Sequence, residues 1–114
     1  MNKIVYSELV KVAKAKKTTT YSELVKAAKL NLNLAMSVGR NAIAEILRDI
    51  AAYENDHGRP MLTSVVVHGH DKMPGEGFFI LGQALGRFSG KPKDKLCFFV
   101  TELLATHATY APSV

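Results

Sequence analysis

The stretch YSELVKVAK at residues 6–14 returns as YSELVKAAK at residues 21–29, identical at eight of nine positions. Two copies this close allow a solenoid repeat, one long helix or two separate helices. In each copy the apolar residues fall at i, i+3, i+4 and i+7: Tyr6, Leu9, Val10 and Ala13, then Tyr21, Leu24, Val25 and Ala28. That spacing lines one face of a helix. A solenoid needs a longer period and more than two copies. A single helix is broken by Thr18-Thr19-Thr20, because successive β-branched residues have poor helix propensity and suit an extended link. Thr20 and Glu23 have capping-box spacing, which makes Thr20 the N-cap of the second helix. The first copy lies inside a helix already begun near Asn2. The sequence therefore predicts two helices that bury similar faces in one core.

Further along, Asn33 is read as the N-cap of a third helix running to about Glu54. Its buried stripe is expected to be Val38, Ile43, Ile46, Leu47 and Ile50. Asn55 to Pro60 is a stop signal. Leu62–His68, rich in Val and Thr, reads as a strand, and HGHDKMPGEG as a protruding loop or hairpin. Phe78–Phe88 has helical spacing, although FFIL between glycines also suits a strand; the helix is the preferred reading. Pro92 opens a last helix, with Leu96, Phe99, Val100, Leu103 and His107 along one side, and APSV at the end is expected to fray. Three helices, then a β element, then two more helices is the order of a mostly helical α+β, winged-helix-like fold. At 114 residues this is one domain's worth of chain, 1–114.

Charge is distributed unevenly. Residues 1–40 hold eight basic side chains against Glu8 and Glu23, a balance of +6, whereas residues 41–114 come to −1. A one-sided basic field points to a polyanion, most often nucleic acid, although a lysine-rich solvated surface has the same composition. Lys11, Lys14, Lys16, Lys17, Lys26 and Lys29 are the candidate phosphate contacts, with Lys72 in the loop touching a flanking phosphate as a wing does. On the third helix, Ser37, Arg40, Asn41 and Ala44 share one side. Short or polar residues there let a helix approach base edges, where Arg pairs with guanine and Asn with adenine.

Other chemistry is weakly signalled. His68 and His70, beside Asp71 and with Asp56 and His57 upstream, would share a face if the strand continued through them, and are the metal candidates; polar loop histidines with no ligand are commoner. Cys97, the lone cysteine, excludes an internal disulfide and fits a reducing compartment; its amphipathic setting suggests an inert, core-facing thiol. No catalytic grouping or phosphate loop is legible, so no cofactor is expected. Neither lysine-bearing helix has the bulky aromatic face of a membrane-surface helix. With no cationic-then-apolar leader, the expectation is a soluble cytoplasmic protein.

Two resemblances add to these readings. TTTYSELVKAAKL followed by SVGRNAIAEIL, over residues 18–66, resembles the winged-helix DNA-binding part of the alkyltransferase and alkyltransferase-like proteins. Thr20-Tyr21 and Val38-Gly39, with Arg40 alongside, stand at the family's motif positions. The resemblance implies DNA binding. It does not imply alkyl transfer, since Pro60-Met61-Leu62-Thr63-Ser64 has neither the cysteine nor the histidine of the family's PCHRV segment. GRPMLTSVVV and MPGEGFF resemble small bacterial proteins, often of mobile elements, with a GRP-x-L…VV…PG-x-GFF core; this implies a bacterial or phage origin and transfers no catalytic residue. The leading expectation is a non-catalytic nucleic-acid-binding protein, DNA ahead of RNA. The alternatives are a protein-interaction module (antitoxin, immunity protein or inhibitor) using the C-terminal helices for a partner or homodimer, and a small metal-dependent enzyme at His68 and His70.

Overall fold

The computed structural model describes residues 1–111. It contains five α-helices and a two-stranded parallel sheet among those residues, a mostly helical α+β architecture. The expected fraying of APSV falls, beyond Ala111, outside the described residues. Helix α1 (Lys3–Lys14) starts at Asn2, whose side chain accepts a hydrogen bond from the Val5 N–H. Strand β1 (Thr19–Thr20) follows, then α2 (Tyr21–Ala27). The Thr20 hydroxyl accepts the Glu23 N–H at 3.1 Å, so it caps α2 as the spacing requires. The return bond of a capping box goes elsewhere: the Glu23 carboxylate accepts the hydroxyl of Thr19.

Strand β2 (Val66–Val67) pairs with β1 in parallel, Thr19 beside Val66 and Thr20 beside Val67. Parallel neighbours need a crossover, and here α2 and α3 (Ser37–Asp56) supply it. Only two residues of the expected Leu62–His68 strand are extended. Leu62–Val65 form a 3₁₀ turn whose residues are all buried. A run buried on every side carries no periodicity by which sequence could separate the two.

Helix α3 begins three residues later than an Asn33 cap implies. Asn33 instead closes its own turn, accepting the Ala35 N–H on its side chain and the Met36 N–H on its carbonyl. Gly39 lies against that turn, where a Cβ would stand 2.1 Å from the Asn33 carbonyl oxygen. Only glycine permits this approach. Val38, expected to be buried, is 74% exposed, because the turn meets α3 on the Gly39 side.

Helix α4 (Glu76–Ala84) confirms the helical reading of FFIL, but it ends before Phe88, which folds back as the Phe88 N–H bonds to the Gly82 carbonyl. Pro92 opens a separate 3₁₀ turn, Pro92–Asp94, ahead of α5 (Lys95–Tyr110). The buried line of α5 is Phe99, Glu102 and Thr106. Leu96 and Val100 are exposed, contrary to the apolar pattern. Cys97 is exposed as well, not core-facing. The cause is a polar seam. Glu102 accepts the Met61 N–H and two bonds from Arg87, while the Thr106 hydroxyl donates to the Met61 carbonyl and accepts from Ser64. Satisfied polar groups can take core positions, and they rotate the apolar Leu96 and Val100 outward.

Two buried clusters result. One gathers Val5, Leu9, Leu24, Ile43, Leu47, Ile50 and Leu62 around α1 to α3. The other is aromatic, with Phe78, Phe79, Phe88 and Phe99 around Met61 and Val67. No helix among the described residues is long and apolar enough to cross a membrane.

Candidate nucleic-acid interface

Each of the ten candidate contact residues is exposed: Lys11, Lys14, Lys16, Lys17, Lys26, Lys29, Ser37, Arg40, Asn41 and Lys72. The structure brings Arg40 and Asn41 together in the wall of a cavity of about 660 Å³. None of the seven lysines lines it. They are spread over α1, α2, the turns that follow these helices and the 68–75 loop, and Lys11 pairs with Glu8 at 3.2 Å.

Three of these lysines share an unusual backbone. Lys16, Lys29 and Lys72 have φ of 54°, 55° and 59°, and are the non-glycine residues with positive φ among those described. Lys16 and Lys29 close α1 and α2. The Lys17 N–H bonds to the Val12 carbonyl and the Lys16 N–H to Ala13; Leu30 and Lys29 repeat the pattern on Val25 and Lys26. This helix ending favours glycine at its left-handed position, and Gly58 fills it after α3. Lysine there keeps a charge at a position where it costs conformational energy.

The cavity lies between the exposed side of α3 and the 68–75 loop. Tyr21 fixes the loop, its hydroxyl accepting the Gly75 N–H at 2.8 Å. Burial raises the Tyr21 phenol above its ordinary range, the Gly75 bond opposing this, so the hydroxyl is neutral at ordinary pH. His68 packs on the Tyr21 ring at 4.9 Å and His70 stacks on His68 at 5.4 Å. The loop closes through the His68 N–H to the Met73 carbonyl and the Lys72 N–H to His68. His68 is thus a wall of the cavity. No group of three or more His, Cys, Asp or Glu among the described residues could hold a metal ion.

On the α3 side, one Arg40 nitrogen donates to the carbonyls of Leu34 and Ala35, so that side chain also braces the turn before the helix. Arg48 joins it in the cavity wall. Residues 40, 44 and 48 are one turn apart and share a side. Arg48 completes a row whose four-residue spacing from Arg40 through Ala44 is visible in the sequence. Neither Arg40 nor Arg48 has a carboxylate partner among the described residues. Arg59 and Arg87 do, on Glu54 and Glu102. The one acid in the cavity wall, Glu76, is held by Lys95 at 3.0 Å.

No model of a known protein family matches this chain, nor does any curated protein or solved structure.

Proposed function

We propose that this protein binds nucleic acid without catalysing a reaction, with duplex DNA ahead of RNA, through the exposed side of α3. The observation that carries the reading is a side of α3 that bears Ser37, Arg40, Asn41, Ala44 and Arg48, all exposed, with two cations that have no carboxylate within ion-pair distance among the described residues. Glu45 and Asp49 continue the row of Ser37 and Asn41, beside the row of Arg40, Ala44 and Arg48, and neither forms an ion pair with these arginines among the described residues. Ser37 and Ala44 are short enough for close approach, Arg40 and Asn41 have the donor geometry for base edges, and Arg48 extends the cationic line. The lysines supply contacts that position without reading sequence. The resemblance of residues 18–66 to an alkyltransferase-like DNA-binding part fits the same face.

The test is a fluorescence polarisation titration with random duplex DNA, single-stranded DNA and RNA at two salt concentrations. Binding should be tightest for duplex and fall steeply with salt, since phosphate contacts release counterions. Weak binding that vanishes near physiological salt and does not distinguish the three polymers would sink the proposal.

One observation favours a second reading, an interaction module. Leu96, Val100 and Leu104 lie one turn apart on α5 and are 62%, 40% and 62% exposed. Such a stripe marks a contact surface when it is part of a larger apolar patch. Sedimentation that is independent of concentration, and unaltered by Leu104→Glu, would remove self-association from this reading.

A further inference from the structure

The α3 cavity has a chemistry of its own. Its volume, about 660 Å³, falls in the range of small-molecule sites. Its floor is apolar, from Ile43, Leu47 and Phe78. One wall is aromatic, where His68 lies on Tyr21 at 4.9 Å. The opposite wall has Arg40 and Arg48, and the charge of Glu76 is met by Lys95. A flat ring suits the floor and the aromatic wall, and a negative group suits the two guanidinium groups, which recognise carboxylate and phosphate through paired N–H donors.

We propose that this cavity is a binding site for a small aromatic anion, a flat ring carrying one carboxylate or phosphate, and that its occupation competes with nucleic acid. The competition rests on the nucleic-acid reading, because Arg40 and Asn41 belong to both surfaces; the cavity's ligand chemistry does not. An occupant that engages Arg40 and Arg48 withdraws both cations from the α3 face. The protein would then release nucleic acid in response to a metabolite.

Isothermal titration of the protein alone, with no nucleic acid present, tests the site. The probes are a naphthalenecarboxylate and adenosine monophosphate, each beside its uncharged partner, the naphthalene amide and adenosine. At least one anion should bind about tenfold more tightly than its neutral partner. Arg48→Gln should weaken it about tenfold, whereas Lys93→Gln, on a turn outside the cavity, should not. Ala44→Trp, which places a large ring in the wall, should block it. Binding of the carboxylate alone assigns an aromatic acid, and binding of the monophosphate alone assigns a nucleotide. If neither anion outbinds its neutral partner, or if Arg48→Gln and Lys93→Gln act alike, the site is refuted. Competition is then read separately, by adding the bound anion to the protein with labelled duplex. An anion that binds without displacing duplex overturns the competition and leaves the site.

Discussion

The four arginines of this chain divide into two pairs with opposite surroundings. Arg59 and Arg87 each meet a buried carboxylate. Glu54, with no exposure, takes three hydrogen bonds from Arg59 at 3.0–3.1 Å and the hydroxyls of Tyr6 and Tyr110. Glu102, 6% exposed, takes Arg87 and the Met61 N–H. Arg40 and Arg48 have no such partner among the described residues and stand together at a cavity. A charge removed from water must be paired, so Arg59 and Arg87 hold the loops after α3 and α4 to buried carboxylates, and the hydroxyls of Tyr6 and Tyr110 tie α1 and α5 to the same Glu54. A charge left in water at a concave surface remains available to a ligand, and the second pair has that position. Both pairs include a residue of α3 or a partner on it, so one helix serves both ends.

Breaking the paired end should have the largest effect. Glu54→Ala leaves Arg59 and two tyrosine hydroxyls without their acceptor and joins α1, α3 and α5 less firmly. Loss of one member of a buried pair costs about 3–5 kcal/mol, to be read as a lower urea midpoint. A loss below about 1 kcal/mol would mean that the network is not a brace.

The same end should show in the alkaline limb of stability. Tyr6 and Tyr110 phenols are both raised, by burial first, with the Glu54 carboxylate adding to it and the Tyr6–Tyr110 contact acting oppositely on the two. Tyr21 is raised by burial too. A phenol whose folded value lies above its unfolded one, about 10, stabilises the fold below that pH and loses this contribution as pH rises further. Stability should therefore fall above about pH 10, and Tyr110→Phe should flatten that fall. An equally steep decline in Tyr110→Phe would assign it to other groups.

A smaller effect tests the link that places α2 beside the cavity. Thr20→Ala removes the cap on the Glu23 N–H and should cost about 1 kcal/mol; an unchanged urea midpoint would contradict the capping role. The smallest effect has the opposite sign. Lys29→Gly relieves the left-handed lysine and should stabilise by about 0.5 kcal/mol. It should also lower the salt dependence of nucleic-acid binding by about one counterion. Stabilisation with no change in salt dependence would leave Lys29 as a helix terminator only.

What the sequence disclosed was local. The break at Thr18–Thr20, the Thr20 cap and the stripes of α1 and α2 depend on neighbours within one helical turn. What it concealed depended on distant partners. Glu102 and Thr106 look like surface residues until Met61, 41 and 45 residues away in the chain, is seen to bind them. Their burial turns Leu96, Val100 and Cys97 to the exposed side, against the apolar pattern of α5. The duplication itself misleads in detail: Tyr6 is inside α1 and reaches Glu54, whereas Tyr21 opens α2 and holds Gly75. Leu9 and Leu24, and Ala13 and Ala28, are buried alike, but Val10 is half-buried where Val25 is buried, and the two tyrosines do different work. Arg40 and Asn41 were legible as a helix face. The cavity was not, because its opposite wall is brought in by the Tyr21–Gly75 bond across 54 residues.

Arg48 gives the most direct test of the division between paired and unpaired arginines. It is exposed, lines the cavity, and makes no hydrogen bond or ion pair among the described residues, so its removal should leave the fold intact. Polarisation titration of Arg48→Ala against labelled duplex DNA, beside Lys93→Ala, is the measurement. The account predicts a loss of about 1 kcal/mol or more in binding at physiological salt, with an unchanged urea midpoint and no comparable loss for Lys93→Ala. Equal affinity for the two variants would contradict it and leave the α3 face as solvated surface.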